Sequence, residues 1–488
     1  MNRQNVEAKV ASGVKKMTVL MIAERALGLL STLILARILL PEDFGIVAMC
    51  MSIVAALELF TAFGFDLFLI QHQEAEKKHY DTAWTLRLLI GAFIAIGIVI
   101  SAHPTAVFYD EPRVVWPMYL IALSSLLRGF ENIGVVNFRK NLQFAKEATF
   151  QISQRLCGFC VTIPLAYYLA NHWALIIGIV MINLSAVVIS YVMSSHRPAL
   201  SLGYARQIMQ FSGWLLINNT LRFIHHRTTI FLLGRHHGAA DLGVHQMSSQ
   251  LSSAVTSQLV AAANRAIFPG YAKLSSQDEM FVGMFLNVVA LTALCALPLG
   301  VGLVFIAPHF VEVALGDKWL AAGAVVQITA LAGTLTAMKS NCTYVLYAKG
   351  KPRVVTILSA SYVCALVPVL SYMIPEHGVM GAVTGTLIVS AMHFPLVFGV
   401  TLRFLNLNFL DWLKQVIRPI AATGVMSVVL IIVAQHLMGA SALTHLLVMV
   451  PIGAVVYIAV LALLIQLFAA EQAIDHTLLT KLTTPRRE

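Results

Sequence analysis

The charged residues that lie in apolar stretches of this chain are mostly arginines. Five of them have long apolar runs around them: Arg25, Arg128, Arg155, Arg222 and Arg227. A guanidinium stays charged when it loses water, and its planar fork donates two parallel hydrogen bonds to a phosphate group. Because burying an ion costs about 3 kcal/mol or more, such a group faces a cavity or a partner. These five arginines therefore predict a surface that binds an anion.

Three acidic residues share the apolar surroundings, namely Glu24, Glu58 and Asp66. Carboxylates in such places commonly take up and release protons or sodium ions. Glu58 and Asp66 are therefore candidates for ion coupling, and the plainer alternative is a hydrogen bond between two helices. No metal site is expected from the adjacent histidine pairs 225–226 and 236–237, because neighbours on a helix point about 100° apart.

The composition requires an apolar solvent. The chain has 488 residues, of which 58% are hydrophobic and 11% are charged. Soluble proteins of ordinary composition are about a quarter charged. A chain with this mean hydropathy of +0.80 would expose too much apolar surface in water. A location in a lipid bilayer is therefore predicted.

Fourteen apolar segments reach the roughly 20 residues that a helix needs to cross a bilayer. Their apolar residues do not alternate, so helices and not barrel strands are predicted. With soft boundaries, the segments are 17–39, 44–70, 82–103, 114–136, 147–170, 173–194, 211–234, 242–268, 281–307, 320–347, 355–375, 378–402, 414–436 and 443–468.

The loops between these segments predict the orientation. With a cytoplasmic N-terminus, 21 Lys and Arg residues fall on the cytoplasmic side, and only Arg37, Arg113, Arg235 and Lys318 fall on the other. This is the asymmetry of the positive-inside rule. Both termini are thus predicted to be cytoplasmic. The net charge of +10 follows from the same asymmetry and requires no nucleic acid partner.

A short polar pattern occurs twice, as RILLPEDFG at 37–45 and as RHHGAADLG at 235–243. The first copy joins the first two spans and the second joins the seventh and eighth, which indicates two parallel repeats. The aspartates suit helix N-caps, and the glycines suit tight backbone geometry. We interpret the shared residues as structural parts of two hairpins on the outer face, one in each bundle: Arg37, Asp43, Gly45, Arg235, Asp241 and Gly243.

The repeat also aligns charges. Glu24 of the first span matches Arg222 of the seventh, and each lies about 10 Å from the cytoplasmic face at 1.5 Å per residue. We hypothesise that these two residues pair across the halves and hold the cytoplasmic side closed.

Basic residues outnumber acidic residues inside the predicted spans, and about four positive charges are left uncompensated. The basic residues are Arg25, Arg87, Arg128, Arg155, Arg222, Arg227, Arg265 and Lys339, and the acidic residues are Glu24, Glu58, Asp66 and Glu131. The surplus favours an anion that carries two or more charges, such as a diphosphate. Simpler interpretations exist for some members: Arg87 and Arg265 reach the membrane interface, and Arg128 pairs with Glu131 three residues along one helix.

The stretch LARILLPEDFGIVAM, followed by ELFTAFGFDLFLIQ, resembles the first hairpin of polysaccharide and O-antigen transporters. These belong to the multidrug/oligosaccharidyl-lipid/polysaccharide flippase superfamily. FLLGRHHGAADLGVHQM agrees in the second half, and the resemblance runs from about Met17 to Arg403. It implies two six-helix bundles around a central cavity, with two additional helices in some members. It also implies that a polyprenyl-diphosphate-linked oligosaccharide moves to the outer leaflet of a bacterial inner membrane, for exopolysaccharide or lipopolysaccharide O-antigen synthesis, and alternating access is the expected mechanism.

The predicted fold is an all-α polytopic membrane protein of about 14 transmembrane helices. We expect an N-terminal bundle at 1–194, a cytoplasmic linker at 195–210, a second bundle at 211–405, and two further helices with a cytoplasmic tail at 406–488. The expected partners are the lipid-linked oligosaccharide, the bilayer, H⁺ or Na⁺ as coupling ion, and a polysaccharide polymerase with other assembly proteins. No cofactor is expected.

Three other functions remain open. A flippase for the peptidoglycan lipid precursor would carry a similar anion on the same fold. A drug or cation antiporter of the superfamily should line its cavity with acids. A membrane glycosyltransferase or polymerase should carry catalytic groups on a large extramembrane loop, and the predicted loops are under about twenty residues. The nucleotide-binding pattern GxxxxGK[ST] is absent. A transporter is therefore predicted, and not an enzyme.

Overall fold

The structure, a computed structural model, describes residues 26–59, 65–72, 74–210, 215–274 and 277–467. These residues form α-helices joined by short turns, and no strand occurs among them. The helices are α1 (Ala26–Ile38), α2 (Pro41–Leu59), α3 (Phe65–Gln71), α4 (Lys77–Tyr109), α5 (Val115–Gly129), α6 (Val136–Lys140), α7 (Phe144–Leu169), α8 (Trp173–Met193), α9 (Ala205–Gln210), α10 (Leu215–Val255), α11 (Ser257–Leu274), α12 (Asp278–Leu315), α13 (Ala322–Ala348), α14 (Pro352–Phe404), α15 (Phe409–His436) and α16 (Ala442–Leu467).

Six of the described helices are long and apolar enough to cross a membrane, and the bent pair formed by α5 and α6 makes up to seven. The six are α4, α8, α12, α14, α15 and α16. The all-α polytopic membrane fold is thus confirmed. The count of about 14 spans stays a prediction.

Two long helices run through a predicted hairpin: α14 contains two predicted spans, and α10 contains most of one span and the first part of the next, which continues in α11. The backbone of α10 leaves helical geometry at Gly238 (φ 78°), and that of α14 does so at Gly378 (φ 56°). A positive φ strains any residue that carries a Cβ, so glycine suits both breaks. Because these breaks coincide with predicted hairpins, the glycines turn the chain between consecutive spans.

By its contacts, the chain divides into a first unit, Met1–Gly243, and a second unit, Val244–Glu488. The division falls inside α10, so the first part of that helix belongs with the N-terminal residues. The domain boundaries predicted around 195–210 stay a prediction.

In the first unit, α4 packs on α5, α5 on α8, and α7 on α8. An apolar cluster in this unit joins Phe68 and Leu69 of α3 to Tyr80 and Trp84 of α4 and to Ile208 of α9. The short helix at the end of the predicted linker is therefore held by the first unit.

In the second unit, α12 is the central helix, because α13, α15 and α16 all pack against it. Met426 of α15 and Met449 of α16 are buried where these two helices meet Phe305 and Ile306 of α12. The hydroxyl of Tyr457 donates to the carbonyl oxygen of Leu294 at 3.0 Å. The two C-terminal helices are thus tied to this unit by apolar packing and by a hydrogen bond.

Candidate functional site

Four of the five predicted arginines are described, and all four belong to the first unit: Arg128, Arg155, Arg222 and Arg227. Arg25 and Glu24 lie outside the described residues. The hypothesised pair of Glu24 with Arg222 therefore lies outside them as well.

Arg128 forms an ion pair with Glu58, at 2.9 Å between Nη1 and Oε1. Glu131 pairs instead with Arg87, at 3.1 Å. The interpretation that Arg128 pairs with Glu131 along one helix is therefore wrong. The chain turns after α5, which brings Glu131 to α4 and leaves Arg128 directed at α2. The two ion pairs cross-link α2, α4 and α5.

The other three arginines have a different environment. Arg155 on α7 is exposed, and its guanidinium reaches towards Gly28 of α1, where an added Cβ would lie 3.6 Å from Nη1. Arg222 is exposed on the first part of α10, and Arg227 is half-buried. Among the described residues, no carboxylate lies within ion-pair distance of Arg222 or Arg227. The charge of Arg222 is thus available to an anionic ligand, whereas the charge of Arg227 is also felt by the Glu58 carboxylate that pairs with Arg128.

Asp66 lies near Arg139 and Glu147, apart from the five predicted arginines. Its carboxylate is 3.9 Å from Nη1 of Arg139, and the Nε of Arg139 donates to Oε1 of Glu147. Glu147 is 5% exposed. Asp66, Glu131, Arg139 and Glu147 line a cavity of about 50 Å³. Asp66, which the sequence offered as a separate ion-coupling candidate, therefore lies in one cavity with three other charged side chains.

Asp43 was expected to be the N-cap residue of the second helix, and this prediction is wrong. Helix α2 begins at Pro41, so Asp43 is its third residue. One carboxylate oxygen accepts from the backbone N–H of Leu40 at 2.9 Å, and the other accepts from the N–H of His172 at 2.8 Å. Asp43 therefore joins the start of α2 to the start of α8. It closes the first turn from inside the helix.

Asp241 occupies the same third position, because helical geometry in α10 resumes after Gly238. Its carboxylate is 3.9 Å from Nδ1 of His237. Asp241 is therefore not an N-cap either.

The basic residues of the two repeated stretches differ. Arg235 donates to the carbonyl oxygens of Phe108, at 2.7 Å, and Val107, at 3.3 Å, where α4 ends. A cation at a helix C-terminus satisfies orphan carbonyls and complements the helix dipole. Arg37 is exposed near the end of α1. Arg235 thus caps the C-terminal end of α4, which agrees with the structural role predicted for the repeated residues.

The outer end of the first unit, which is the end predicted to be extracytoplasmic, carries one more ionic contact. Arg113 pairs with Glu111 at 2.8 Å and with Glu42 of α2 at 3.1 Å. The hydrogen bond from Arg113 holds the pKa of Glu111 below its usual range. This contact fastens the turn after α4 to the start of α2.

The predicted linker is docked on the start of α4. The backbone N–H of Ala199 donates to Asp81 at 3.1 Å, and that of Ser201 donates to the hydroxyl of Thr85 at 2.9 Å. Nε2 of His196 is 3.3 Å from the Asp81 carboxylate. Burial lowers the pKa of His196, and Asp81 opposes this effect in part. The linker is therefore part of the first unit, at least as far as Ser201.

The second unit contains a basic group of its own. Nζ of Lys339 lies 4.5 Å from the ring centroid of Tyr362, whose hydroxyl is 3.1 Å from that of Ser390. His393 is edge-on to Tyr362, and its Nε2 is 3.0 Å from the carbonyl oxygen of Leu358. The aromatic face stabilises the Lys339 ammonium, which has no carboxylate partner among the described residues.

Sequence reasoning missed Glu147, Arg139 and Asp81 as functional candidates. Glu147 and Asp81 lie at predicted span ends, where acids are ordinary, and Arg139 was counted as a loop cation. The sequence did show acids at two predicted span ends and basic residues in the turn between them. It could not show that Arg139 contacts Glu147 or that Asp81 contacts the linker.

A family model described as Polysaccharide biosynthesis protein matches residues 34–324, and the chain belongs to this family. The chain is 25% identical over 445 residues to the succinoglycan biosynthesis transport protein ExoT of Rhizobium meliloti, with 87% of each chain covered. It is 21% identical over 403 residues to the lipopolysaccharide biosynthesis protein WzxC of Escherichia coli, with 82% of each covered.

Two solved structures share the fold. The lipid II flippase MurJ in an inward closed conformation matches with a TM-score of 0.73 at 13% identity, over 92% of this chain and 98% of that one. A multidrug resistance MATE family transporter of the MOP superfamily matches with a TM-score of 0.60 at 12% identity, over 78% and 94%. The family match and the named relatives confirm the resemblance to polysaccharide transporters, the two solved structures show the shared fold, and the chain is a multi-pass membrane protein.

Proposed function

We propose that this protein moves a polyprenyl-diphosphate-linked oligosaccharide from the inner to the outer leaflet of a bacterial inner membrane, for exopolysaccharide or O-antigen synthesis. The proposal is supported by family membership together with one observation on the molecule. Arg222 and Arg227 lie on α10 within the predicted seventh span, and among the described residues no carboxylate lies within ion-pair distance of either. An uncompensated guanidinium in such a place favours a phosphate ligand.

Within this proposal, Arg155, Arg222 and Arg227 bind the diphosphate, together with Arg25. Arg128 has a smaller part in binding, because Glu58 neutralises its charge. Transport proceeds by alternating access, with both termini in the cytoplasm, and a polysaccharide polymerase takes up the product. The protein carries its cargo and performs no covalent chemistry on it.

One competing function has support from the fold. A flippase for the peptidoglycan lipid precursor carries a similar diphosphate, and MurJ has the higher TM-score of the two structures compared. At 13% identity this likeness concerns the fold alone. The named relatives in polysaccharide synthesis favour the polysaccharide cargo.

The test is a deletion strain of the source bacterium. Secreted polysaccharide is measured, together with the amount and the leaflet of polyprenyl-linked oligosaccharide in membranes. We expect lost polysaccharide and lipid-linked units that accumulate on the cytoplasmic side, with recovery on complementation. Accumulation in the outer leaflet would indicate a polymerase. Cell lysis with normal glycans would indicate the peptidoglycan precursor, and drug sensitivity alone would indicate an antiporter.

A further inference from the structure

The end of the first unit that the loop charges predict to be cytoplasmic gathers three carboxylates and one guanidinium around a small cavity, and a second guanidinium pairs with one of these carboxylates. We call this group the carboxylate cluster: Asp66 of α3, Glu131 after α5, Glu147 of α7, Arg87 of α4 and Arg139 of α6. The cavity measures about 50 Å³ and is completed by Gln151 and apolar side chains.

The charges of the carboxylate cluster do not balance. Arg87 neutralises Glu131 at 3.1 Å. Arg139 is shared by Glu147 and by Asp66, which is 3.9 Å away. The neighbouring Lys140 does not contribute, because its Nζ donates to the carbonyl oxygen of His72 at 2.8 Å. Among the described side chains that line the cavity or pair with its lining, one negative charge is therefore left over. A further cation, Lys146, lies over the Phe138 ring at the cavity wall, 6.0 Å from its centroid.

Within the carboxylate cluster, Glu147 has a buried oxygen atom that accepts no hydrogen bond. The residue is 5% exposed. Its Oε1 accepts from Nε of Arg139 and from Nε2 of Gln151, the latter at 3.2 Å. Its Oε2 is buried and has no hydrogen-bond partner among the described residues. An unsatisfied carboxylate oxygen in such a place is costly, and binding a cation there would remove the cost.

The cation that fits is a proton. A metal ion requires several oxygen ligands, and no group of three or more His, Cys, Asp or Glu side chains in the described part of the chain is arranged to hold one. A proton needs only a single oxygen atom, and Oε2 of Glu147 is buried without a hydrogen-bond partner among the described residues.

We propose that Glu147 is a proton-carrying site and that Arg139 transmits its state to α3. When a proton binds, an O–H bond forms on Oε2, and the ion pair of Glu147 with Arg139 becomes a neutral hydrogen bond. Asp66 is then the charged partner that remains for Arg139, so the guanidinium shifts towards α3. When the proton leaves, Arg139 returns to Glu147. As a coupling device, this switch rests on the proposed transport function, whereas proton binding itself requires no cargo.

The test uses the full-length protein in lipid vesicles. Its pH titration is followed by infrared difference spectroscopy at the carbonyl stretch of protonated carboxyl groups. We expect a band that disappears as pH rises, is absent in Glu147→Gln, and is unchanged in Glu42→Gln. Glu42 is the matched control, because its carboxylate pairs with Arg113 at the other end of the first unit, away from the cluster. In Asp66→Asn, Arg139 loses its second carboxylate neighbour, so the midpoint of the band should differ from that of the wild-type protein.

A full band in Glu147→Gln would overturn the proposal, and so would a response to sodium at constant pH in place of the response to protons. If Glu147→Gln does not fold, the Asp66→Asn titration decides, since an unshifted midpoint contradicts a shared Arg139. Export is then measured in the deletion strain with Glu147→Gln supplied. Normal export by a variant that lacks the band would refute the coupling role alone. An unaltered glycan profile in the deletion strain itself would refute the transport function instead.

Discussion

Gly45 of α2 and Ala239 of α10 touch through their backbones, so the two copies of the repeated polar pattern pack directly on each other. A Cβ added to Gly45 would collide with the carbonyl group of Ala239, and one added to Gly243 would collide with the carbonyl group of Pro41. The glycines are therefore required by a close helix crossing in the first unit.

Replacement of Gly45 by alanine should destabilise the protein. The added methyl group meets backbone atoms, which cannot rotate away, and overpacking of this kind costs about 1–3 kcal/mol. The midpoint of thermal unfolding in detergent measures the effect. Gly399→Ala is the control, because a Cβ there meets nothing within 4 Å. Equal midpoints for the two variants would contradict the close crossing.

Asp43→Ala should also destabilise the protein, by about 2 kcal/mol, because two backbone N–H groups lose their acceptor. These are the N–H groups of Leu40 and of His172, the latter buried. Asp241→Ala, at the equivalent position of the repeat, should cost less than about 0.5 kcal/mol, since its carboxylate is 40% exposed. Denaturant unfolding of both variants checks the difference. An equal loss would mean that Asp43 does not join α2 to α8.

Arg227→Ala should lower polysaccharide export about tenfold or more, because a charge-assisted hydrogen bond contributes about 1.5–3 kcal/mol. Arg227→Lys should retain part of the export, since the charge remains and the two-pronged contact is lost. The measurement is secreted polysaccharide at matched protein levels. Normal export by Arg227→Ala would remove that arginine from the binding surface.

Docking of the linker should weaken as pH falls below about 6.5. Burial lowers the pKa of His196 from its usual 6.5, so the undocked state binds more protons between the two pKa values. By linkage, docking is favoured above this window and disfavoured within it. Hydrogen exchange of residues 197–204 measures docking, and His196→Gln at each pH is the reference. A wild-type protein that behaves as this variant does at all pH values would contradict the expectation.

The fold could largely be predicted from the sequence, because apolar segment length, loop charge and the repeat each depend on short stretches of chain. Gly238 and Gly378, for example, interrupt the helices at the places where the sequence predicts hairpins. The partners of charges could not be predicted in the same way. Spacing offered Arg128 the nearby Glu131, whereas the structure gives it Glu58, which is 70 positions away. Glu147 looked like an ordinary acid at a span end until packing placed Asp66 and Arg139 beside it.

The docked linker has a consequence for how the protein is made. Asp81 and Thr85 accept hydrogen bonds from Ala199 and Ser201, which are more than 110 positions later in the chain. The start of α4 therefore leaves the ribosome long before Ala199 and Ser201 have been synthesised. Domains generally fold from the N-terminal side during synthesis. Here the first unit cannot complete the surface that the loop charges predict to be cytoplasmic until α8 has been inserted and the linker has emerged. This surface is therefore among the last parts of the unit to form.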